Sequence, residues 1–410
     1  MTRTFNLFGP EFKANPYPTY AAMREESPFH QRTTTDGKAN IWFITRYDDV
    51  AMLLRDHKRF VKNVANTLTP DERATRPVTP PLLQLLSNHM LNLDPPDHTR
   101  LRGLVNKVFT NQMVAQMHAR IQHVAHELLD AVHANGEMDL IEEFAFPLPI
   151  IVIAELLGIP PRDRRRFRNW SNAFVTPSAN LQRSIKKMKK AGQVMEDFTG
   201  YMRRIFDERR QAPREDLISQ LLQAEEEGDA LREEELFSMV ILLIVAGHET
   251  VVDFLGNGIL ALLQHPPQMQ LLQSDWSHLS TAIEEMARYD GPIERATIRF
   301  AAEDIPVADG LTITRGDAVS LVLAAANRDP AQFPRPNHFE ITRTPNRHVA
   351  FGQGIHYCLG APLARLEGQI AIQTLLQRYP RLELTVAPEQ LRWRTIPVLR
   401  GLHHLPVRFM

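Results

Sequence analysis

The feature that most constrains the fold is a long apolar segment, which extends from Glu233 to His265. Residues 236–246 are apolar on every side of a helix, as in helices that run through a protein core. A helix over the whole segment would be about 50 Å long. Its uninterrupted apolar part is shorter than the roughly 20 residues that a membrane span needs. The sequence therefore predicts a buried core helix in a mainly α-helical protein.

Polar residues interrupt the apolar run in the sequence AGHET, Ala246–Thr250. Exit of the helix into solvent would explain His248 and Glu249, but apolar residues resume directly afterwards. A glycine, a carboxylate and a hydroxyl inside a core are costly unless they are used. We expect the Thr250 hydroxyl to hydrogen-bond either the carbonyl four residues earlier or a ligand, and to loosen the helix beside Gly247.

The chain has one cysteine among its 410 residues, Cys358, which glycines flank in the sequence FGQGIHYCLG. A single thiol excludes an internal disulfide, a CxxC pair and a four-cysteine metal site, and it favours a reducing compartment. A lone cysteine is most often a small buried apolar residue. Cys358 precedes a predicted helix, however, whose N–H groups would stabilise a thiolate that acts as a nucleophile or as a metal ligand. His356, two residues earlier, is a candidate for the base that a nucleophile needs.

The rest of the sequence predicts a single domain over residues 1–410, mostly α with a small β portion. Helical patterns dominate as far as about residue 265. This part of the chain also contains a hairpin pattern in residues 35–50 and a Pro-rich stretch in residues 60–90, which we expect to be a long irregular loop. Strand-like alternation begins near Ile305, and short strands are predicted in LELTV and LPVRF.

Composition and charge bear on the partners of the protein. The formal net charge of −1 gives no reason to expect nucleic acid. The N-terminal residues contain no apolar run of the signal-peptide or membrane-anchor type. We therefore expect a soluble cytoplasmic protein with no membrane and no nucleic-acid partner.

Three motifs follow one another along the chain: AGHET, then EMAR with Glu285 and Arg288 on one helix face, then FGQGIHYCLG. Together they resemble the cytochrome P-450 family, whose signature F-x-x-G-x-x-x-C-x-G is matched from Phe351 to Gly360. The resemblance covers essentially the whole chain, and DPPDHTRLR and AANRDP are most similar to soluble bacterial members. It implies the cytochrome P-450 fold, mainly α with a small β portion, in which a long central helix crosses the haem within a triangular prism.

The resemblance implies haem b as the cofactor, with Cys358 as the axial thiolate ligand of the iron. The glycines of the loop would let backbone N–H groups approach the sulfur, and Phe351 would shield it. The haem propionates need cationic or donor partners. The cofactor contacts implied besides Cys358 are His98, Arg102, Ala246, Gly247, Arg299, Phe351, Gly352, His356 and Gly360.

The resemblance also implies a monooxygenase, which would activate dioxygen with two external electrons and hydroxylate or epoxidise a hydrophobic small molecule. Glu249 and Thr250 match the acid–alcohol pair of the family, which delivers protons during oxygen activation. The electrons would come from a ferredoxin or flavodoxin with its reductase. Two alternatives remain open: a peroxide-driven peroxygenase on the same fold, and a non-catalytic haem sensor or carrier. The complete acid–alcohol pair favours the monooxygenase.

The same interpretation assigns roles to further residues. We also expect the protein to be a monomer. Glu285 and Arg288 would tie the haem-binding loop to the core. His338 stands where the family often has an arginine that completes this ion pair. Substrate contacts should be mainly apolar. The predicted ones are Val64, Leu82, Leu85, Leu242, Leu243, Ala246, Ile293 and Val398.

Overall fold

The computed structural model describes residues 4–34, 37, 39–75, 84–175, 185–226 and 229–409. The chain forms two compact units. The first unit consists of Met1–Arg76, Ala125–Ala145 and Thr250–Met410, and the second of Pro77–Val124 and Phe146–Glu249. A single domain over residues 1–410 stays a prediction.

Helices dominate the described residues, as the sequence predicts. The apolar segment forms one α-helix, Glu233–Gln264, called the long helix below. By length and hydropathy it could cross a membrane, but most of it is buried inside the protein, which identifies it as a core helix. It is α-helical through Gly247, so the predicted local loosening is wrong. The polar side chains there find partners without a break in the helix, as described below.

The other α-helices are shorter, and several begin with proline in the first turn, where its missing N–H costs no hydrogen bond. The helix predicted after the two prolines of DPPDHTRLR is present. In chain order these helices are Pro10–Ala14, Tyr17–Glu26, Tyr47–Arg55, Pro70–Ala74, Asp97–Val108, Asn111–Gln116, His118–His133, Pro147–Leu156, Arg164–Val175, Ile185–Gln211, Leu217–Gln223, Pro266–Ser274, Leu279–Asp290, Leu323–Ala326 and Ala361–Arg378.

The largest sheet lies in the first unit and has five strands. The predicted hairpin is confirmed, because Phe29–Thr33 pairs antiparallel with Asn40–Ile44. One neighbouring pair of strands in this sheet is parallel, and the others are antiparallel. Trp42, Phe60 and Leu321 belong to its buried core. The strand order is Phe29–Thr33, Asn40–Ile44, Ala318–Leu321, Arg299–Ala301 and Phe60–Val61.

The two strands predicted near the C-terminus are also confirmed. Leu382–Leu384 pairs antiparallel with Pro406–Phe409, and Glu137–Asp139 completes this three-stranded sheet in the first unit. Two small pairs of strands complete the β structure of the described residues. They are Glu225–Glu226 with Asp229–Ala230, and Ile305–Pro306 with Thr312–Ile313.

The stretch of residues 60–90 is more regular than predicted. After the strand at its start come the 3-10 helix Val64–Thr67 and the α-helix Pro70–Ala74. Thr69 and Glu72 cap this α-helix reciprocally, side chain to backbone. The sequence TPDE carries that capping signal, so the expectation of one irregular loop is wrong up to residue 75. Residues 76–83 lie outside the described part of the chain.

Candidate active site

The cysteine loop, Phe351–Gly360, leads into the α-helix Ala361–Arg378. The Cys358 amide donates a hydrogen bond to the Phe351 carbonyl over 2.9 Å, which folds the loop back on itself. The Cys358 side chain is exposed. The alternative of a buried apolar cysteine is therefore wrong for this chain. The sulfur lies just before a helix, where the N–H groups and the helix dipole favour a thiolate.

Two glycines give the loop its shape. Gly352 and Gly354 have φ angles of 70° and 72°, a region that other residues rarely adopt. A Cβ on Gly354 would also lie 2.8 Å from the carbonyl oxygen of Leu54. At Gly360 the situation is the reverse, because a Cβ there would meet nothing within 4 Å. The loop is therefore tightly folded at Gly352 and Gly354 and open beside Gly360.

A charged network supports the loop from the helix Leu279–Asp290. The Arg365 guanidinium pairs with Glu284 at 2.6 Å and lies over the Phe351 ring, 4.3 Å from its centroid. His348 approaches the same carboxylate at 3.0 Å. Burial alone would raise the pKa of Glu284, but the hydrogen bonds from Arg365 and His348 outweigh it and lower this pKa to about 2. Glu284 is therefore ionised at neutral pH and holds Phe351 in place through Arg365.

Glu285, the next residue of that helix, forms buried ion pairs with two arginines. Arg288 pairs with it at 2.7 Å, as predicted, and Arg343 pairs with it at 3.1 Å. The His338 side chain is exposed, and only its backbone carbonyl takes part, by accepting from both arginines. The third partner, which the sequence left open at His338, is therefore Arg343, five residues later. Its guanidinium bonds the buried carboxylate and nearby backbone carbonyls together.

The long helix exposes one face in the middle of its buried length. Ala246 is exposed, Gly247 and Thr250 are half-buried, and Glu249 is 5% exposed. Residues four apart lie on the same helical face, so Ala246 and Thr250 share the accessible face. A Cβ on Gly247 would lie 3.3 Å from Cδ1 of Ile153, so this glycine lets Ile153 approach the helix closely.

His248 shows that the long helix does not exit into solvent at this point. Its side chain has no accessible surface, and Ser171 lies 3.0 Å from its Nδ1. Sequence reasoning missed this contact, because Ser171 lies 77 residues earlier and carries no motif. The solvent alternative for His248 and Glu249 is therefore wrong.

Of the four residues predicted to bind the haem propionates, two lie in each unit. In the second unit, His98 and Arg102 lie in the helix Asp97–Val108; His98 is buried, and Arg102 donates to Asn106 Oδ1 over 3.1 Å. In the first unit, Arg299 is buried in its strand and donates to the Leu54 carbonyl over 3.3 Å, while His356 is half-buried in the cysteine loop. Their roles toward the propionates stay predictions.

The predicted substrate contacts differ in their exposure. Leu242 and Leu243 are buried in the long helix, and Val64 and Leu85 are half-buried. Leu82 lies outside the described residues. Two others come together in the first unit, where the strand bridge between Ile293 and Leu399 brings Ile293 beside Val398, which is 36% exposed. The predicted contacts that the structure describes are divided between the two units. Val64, Ile293 and Val398 belong to the first unit, and Leu85, Leu242, Leu243 and Ala246 belong to the second.

The residues present fit haem as the cofactor. The chemistry of an exposed cysteine before a helix is that of a thiolate ligand. A Cβ at Gly360 would meet nothing within 4 Å, which leaves room beside this part of the loop for a flat ring. In the first unit, Arg299 supplies a buried guanidinium, a donor of the kind that binds a propionate.

Comparison with known proteins assigns the family. The family model "Cytochrome P-450" matches residues 165–394 of this chain. Cytochrome P-450 monooxygenase PikC of Streptomyces venezuelae is 45% identical over 404 residues, 98% of this chain and 92% of that protein.

Solved structures agree with this assignment. Cytochrome P-450 PksS of the bacillaene polyketide synthase of Bacillus subtilis has a TM-score of 0.90 and 42% identity, covering 99% of this chain and 100% of that one. Cytochrome P-450 BioI, solved with an acyl carrier protein ligated to hexadec-9Z-enoic acid, has a TM-score of 0.85 and 38% identity, over 97% of this chain and 99% of that one. The chain therefore belongs to the cytochrome P-450 family of haem b monooxygenases.

Proposed function

We propose that this monooxygenase hydroxylates or epoxidises a hydrophobic small molecule, with electrons from a ferredoxin or flavodoxin and its reductase. The observation that carries the proposal is the accessible face of the long helix. An exposed apolar residue, Ala246, stands there one turn before the half-buried Thr250. An apolar wall beside a hydroxyl suits a hydrophobic molecule that is to be oxidised nearby.

The site residues keep the roles that the sequence predicts. Haem b, when bound with a cysteine thiolate, supplies the activation of dioxygen. Cys358 would hold the iron, and His98, Arg102, Arg299 and His356 would bind the propionates. Glu249 and Thr250 would hold and pass the protons that oxygen activation consumes. Phe351 would cover the sulfur, in the position that Arg365 fixes.

The relatives support a hydrophobic substrate without naming it. PksS is named for polyketide biosynthesis, and the solved BioI complex contains a long-chain fatty acid carried by a protein. An apolar chain or ring system of this kind is within the proposal. A monomer located in the cytoplasm is part of the same proposal.

The experiment compares Thr250→Ala with the unchanged enzyme. Dodecanoic acid, testosterone and limonene are first screened as probes by the shift of the Soret band that each induces. With the probe that gives the largest shift, and with ferredoxin and reductase added, we expect product per NADH to fall about tenfold in Thr250→Ala, because a proton-delivery group is lost. NADH consumption should continue and yield hydrogen peroxide.

Thr281→Ala is the matched control, because Thr281 lies on another helix and donates to the backbone carbonyl of His278. It should couple NADH to product as the unchanged enzyme does. Turnover with hydrogen peroxide alone that survives Thr250→Ala would support the peroxygenase instead. A Cys358→Ser protein that keeps the Soret band of the reduced carbon monoxide complex would overturn the assignment of the iron ligand.

A further inference from the structure

His248 is wholly buried in the long helix, and the proposed function gives it no role. Its Nδ1 lies 2.9 Å from the carbonyl oxygen of Ile244, one turn earlier. The Ser171 hydroxyl, on the helix Arg164–Val175, lies 3.0 Å from Nδ1 and 3.2 Å from Nε2. Nε2 also lies 3.3 Å from Oε2 of Glu249. Both ring nitrogens therefore have polar groups beside them.

The contact between Nε2 and Glu249 needs a hydrogen between the two atoms. A carboxylate oxygen only accepts, so Oε2 at 3.3 Å is bonded when Nε2 donates to it or when the carboxyl group itself carries the proton. The Ser171 hydroxyl can donate to Nδ1 or accept from it, so it satisfies the other nitrogen in either case. In each form one proton lies between His248 and Glu249.

The packing around the ring favours this shared proton. The rings of Phe146 and His248 pack edge to face, with their centroids 5.7 Å apart. Arg168 lies over the Phe146 ring, 4.5 Å from its centroid. The ring of His248 is wholly buried among these neighbours, so it keeps one orientation and Nε2 stays beside Oε2 of Glu249.

We infer that His248 is a positioning residue that holds the carboxyl group of Glu249 in one orientation through a shared proton. The Ile244 carbonyl and Ser171 fix the imidazole, and the imidazole fixes the carboxyl group. The inference rests on the proposed role of Glu249 and Thr250 in proton delivery. It adds two residues, His248 and Ser171, to the groups on which efficient oxygen activation depends.

The direct test is a spectrum of the imidazole nitrogens. Holoenzyme labelled with ¹⁵N-histidine is studied as the diamagnetic reduced carbon monoxide complex, and His248 is assigned by its loss in His248→Phe. We expect Glu249→Gln to shift the Nε2 resonance, because the substitution changes the group that shares a hydrogen with Nε2. His265 is the control, because its Nδ1 makes the same contact with the Ala261 carbonyl at 2.7 Å and should not respond to Glu249→Gln. The absence of any response of Nε2 to Glu249→Gln overturns the inference.

The functional test uses His248→Phe, which keeps a ring but removes both nitrogens. We expect product per NADH to fall about threefold, less than the roughly tenfold loss expected for Thr250→Ala. Ser171→Ala should lower it in the same direction by a smaller factor. The probe is the compound with the largest Soret shift among dodecanoic acid, testosterone and limonene.

The carbon monoxide spectrum and the melting temperature separate positioning from damage to the fold. Both should be retained in Ser171→Ala, and the spectrum should be retained in His248→Phe. Unchanged coupling in His248→Phe overturns the positioning role. Unchanged coupling in Thr250→Ala overturns the proposed function instead, while the nitrogen spectrum still reports on the contact between His248 and Glu249.

Discussion

Glu367 carries a carboxyl group into the core, on the helix that follows the cysteine loop, and only 1% of its surface is exposed. Neither of its oxygens has a hydrogen-bond partner among the residues that the structure describes. Burial raises the pKa of Glu367 to about 8. The group is therefore mostly protonated in the folded protein at neutral pH, but ionised in the unfolded chain.

We expect this residue to make the protein less stable as the pH rises from about 5 to about 8. The unfolded carboxyl group loses its proton near its ordinary pKa of 4.5, whereas the folded one keeps it until about pH 8. The folded state binds more protons in this window, so the free energy of unfolding falls with pH, by roughly 3 kcal/mol at pH 7. Glu367→Gln should remove this dependence, which melting temperatures at a series of pH values would show.

The exposed Glu389 supplies the control for this prediction. Glu389→Gln should leave the pH dependence of the melting temperature as it is in the unchanged protein. If the melting temperature of Glu367→Gln ran parallel to that of the unchanged protein over the whole range, Glu367 would not be the buried acid that titrates there.

At the scale of elements, Arg343 joins the segment after residue 333 to the helix Leu279–Asp290 through Glu285. Both side chains of this pair are buried, so removing the cation leaves a buried carboxylate with one partner fewer. We expect Arg343→Met to lower the free energy of unfolding by about 3–5 kcal/mol. Chemical denaturation of the holoenzyme, followed by the Soret band, measures this change.

His338→Ala is the matched substitution for the ion-pair network. Its exposed side chain takes no part in the pair, and the backbone carbonyl that accepts from Arg288 and Arg343 is kept. The change in the free energy of unfolding should stay within about 0.5 kcal/mol. A large loss in His338→Ala with little loss in Arg343→Met would contradict this description of the network.

These elements also show what the sequence can and cannot predict. Apolar periodicity predicted the long helix nearly to its ends, because a buried helix must be apolar on every side. Local motifs placed Cys358 before a helix and Glu285 beside Arg288, because residues three apart share one helical face. Arg343 contacts Glu285 from 58 positions away in the sequence, and Ser171 contacts His248 from 77 positions away. The periodicity of a single helix or strand does not predict contacts between residues so far apart in the sequence.

At the scale of the whole molecule, the N-terminal part of the chain is tied to its C-terminal part by a buried lysine. Lys13, in the helix Pro10–Ala14, donates to Glu294 over 2.8 Å and to the Leu399 carbonyl over 2.7 Å. Arg400 donates in turn to the backbone carbonyl of Lys13. Burial lowers the pKa of Lys13 and raises that of Glu294, and the attraction between the two groups opposes both shifts.

Lys13→Met should therefore destabilise the protein by about 3–5 kcal/mol, because it leaves Glu294 buried without its cation. Lys13→Met combined with Glu294→Gln should recover much of this loss, since no unpaired charge then remains in the core. Lys58→Met, at an exposed lysine, is the control and should change the free energy of unfolding by less than about 0.5 kcal/mol. Glu294→Gln alone is measured as well, and chemical denaturation of the five holoenzymes, the unchanged protein included, gives the comparison. If the double variant were as unstable as the sum of its single variants, the two residues would act independently, and the buried pair would not join the two ends of the chain.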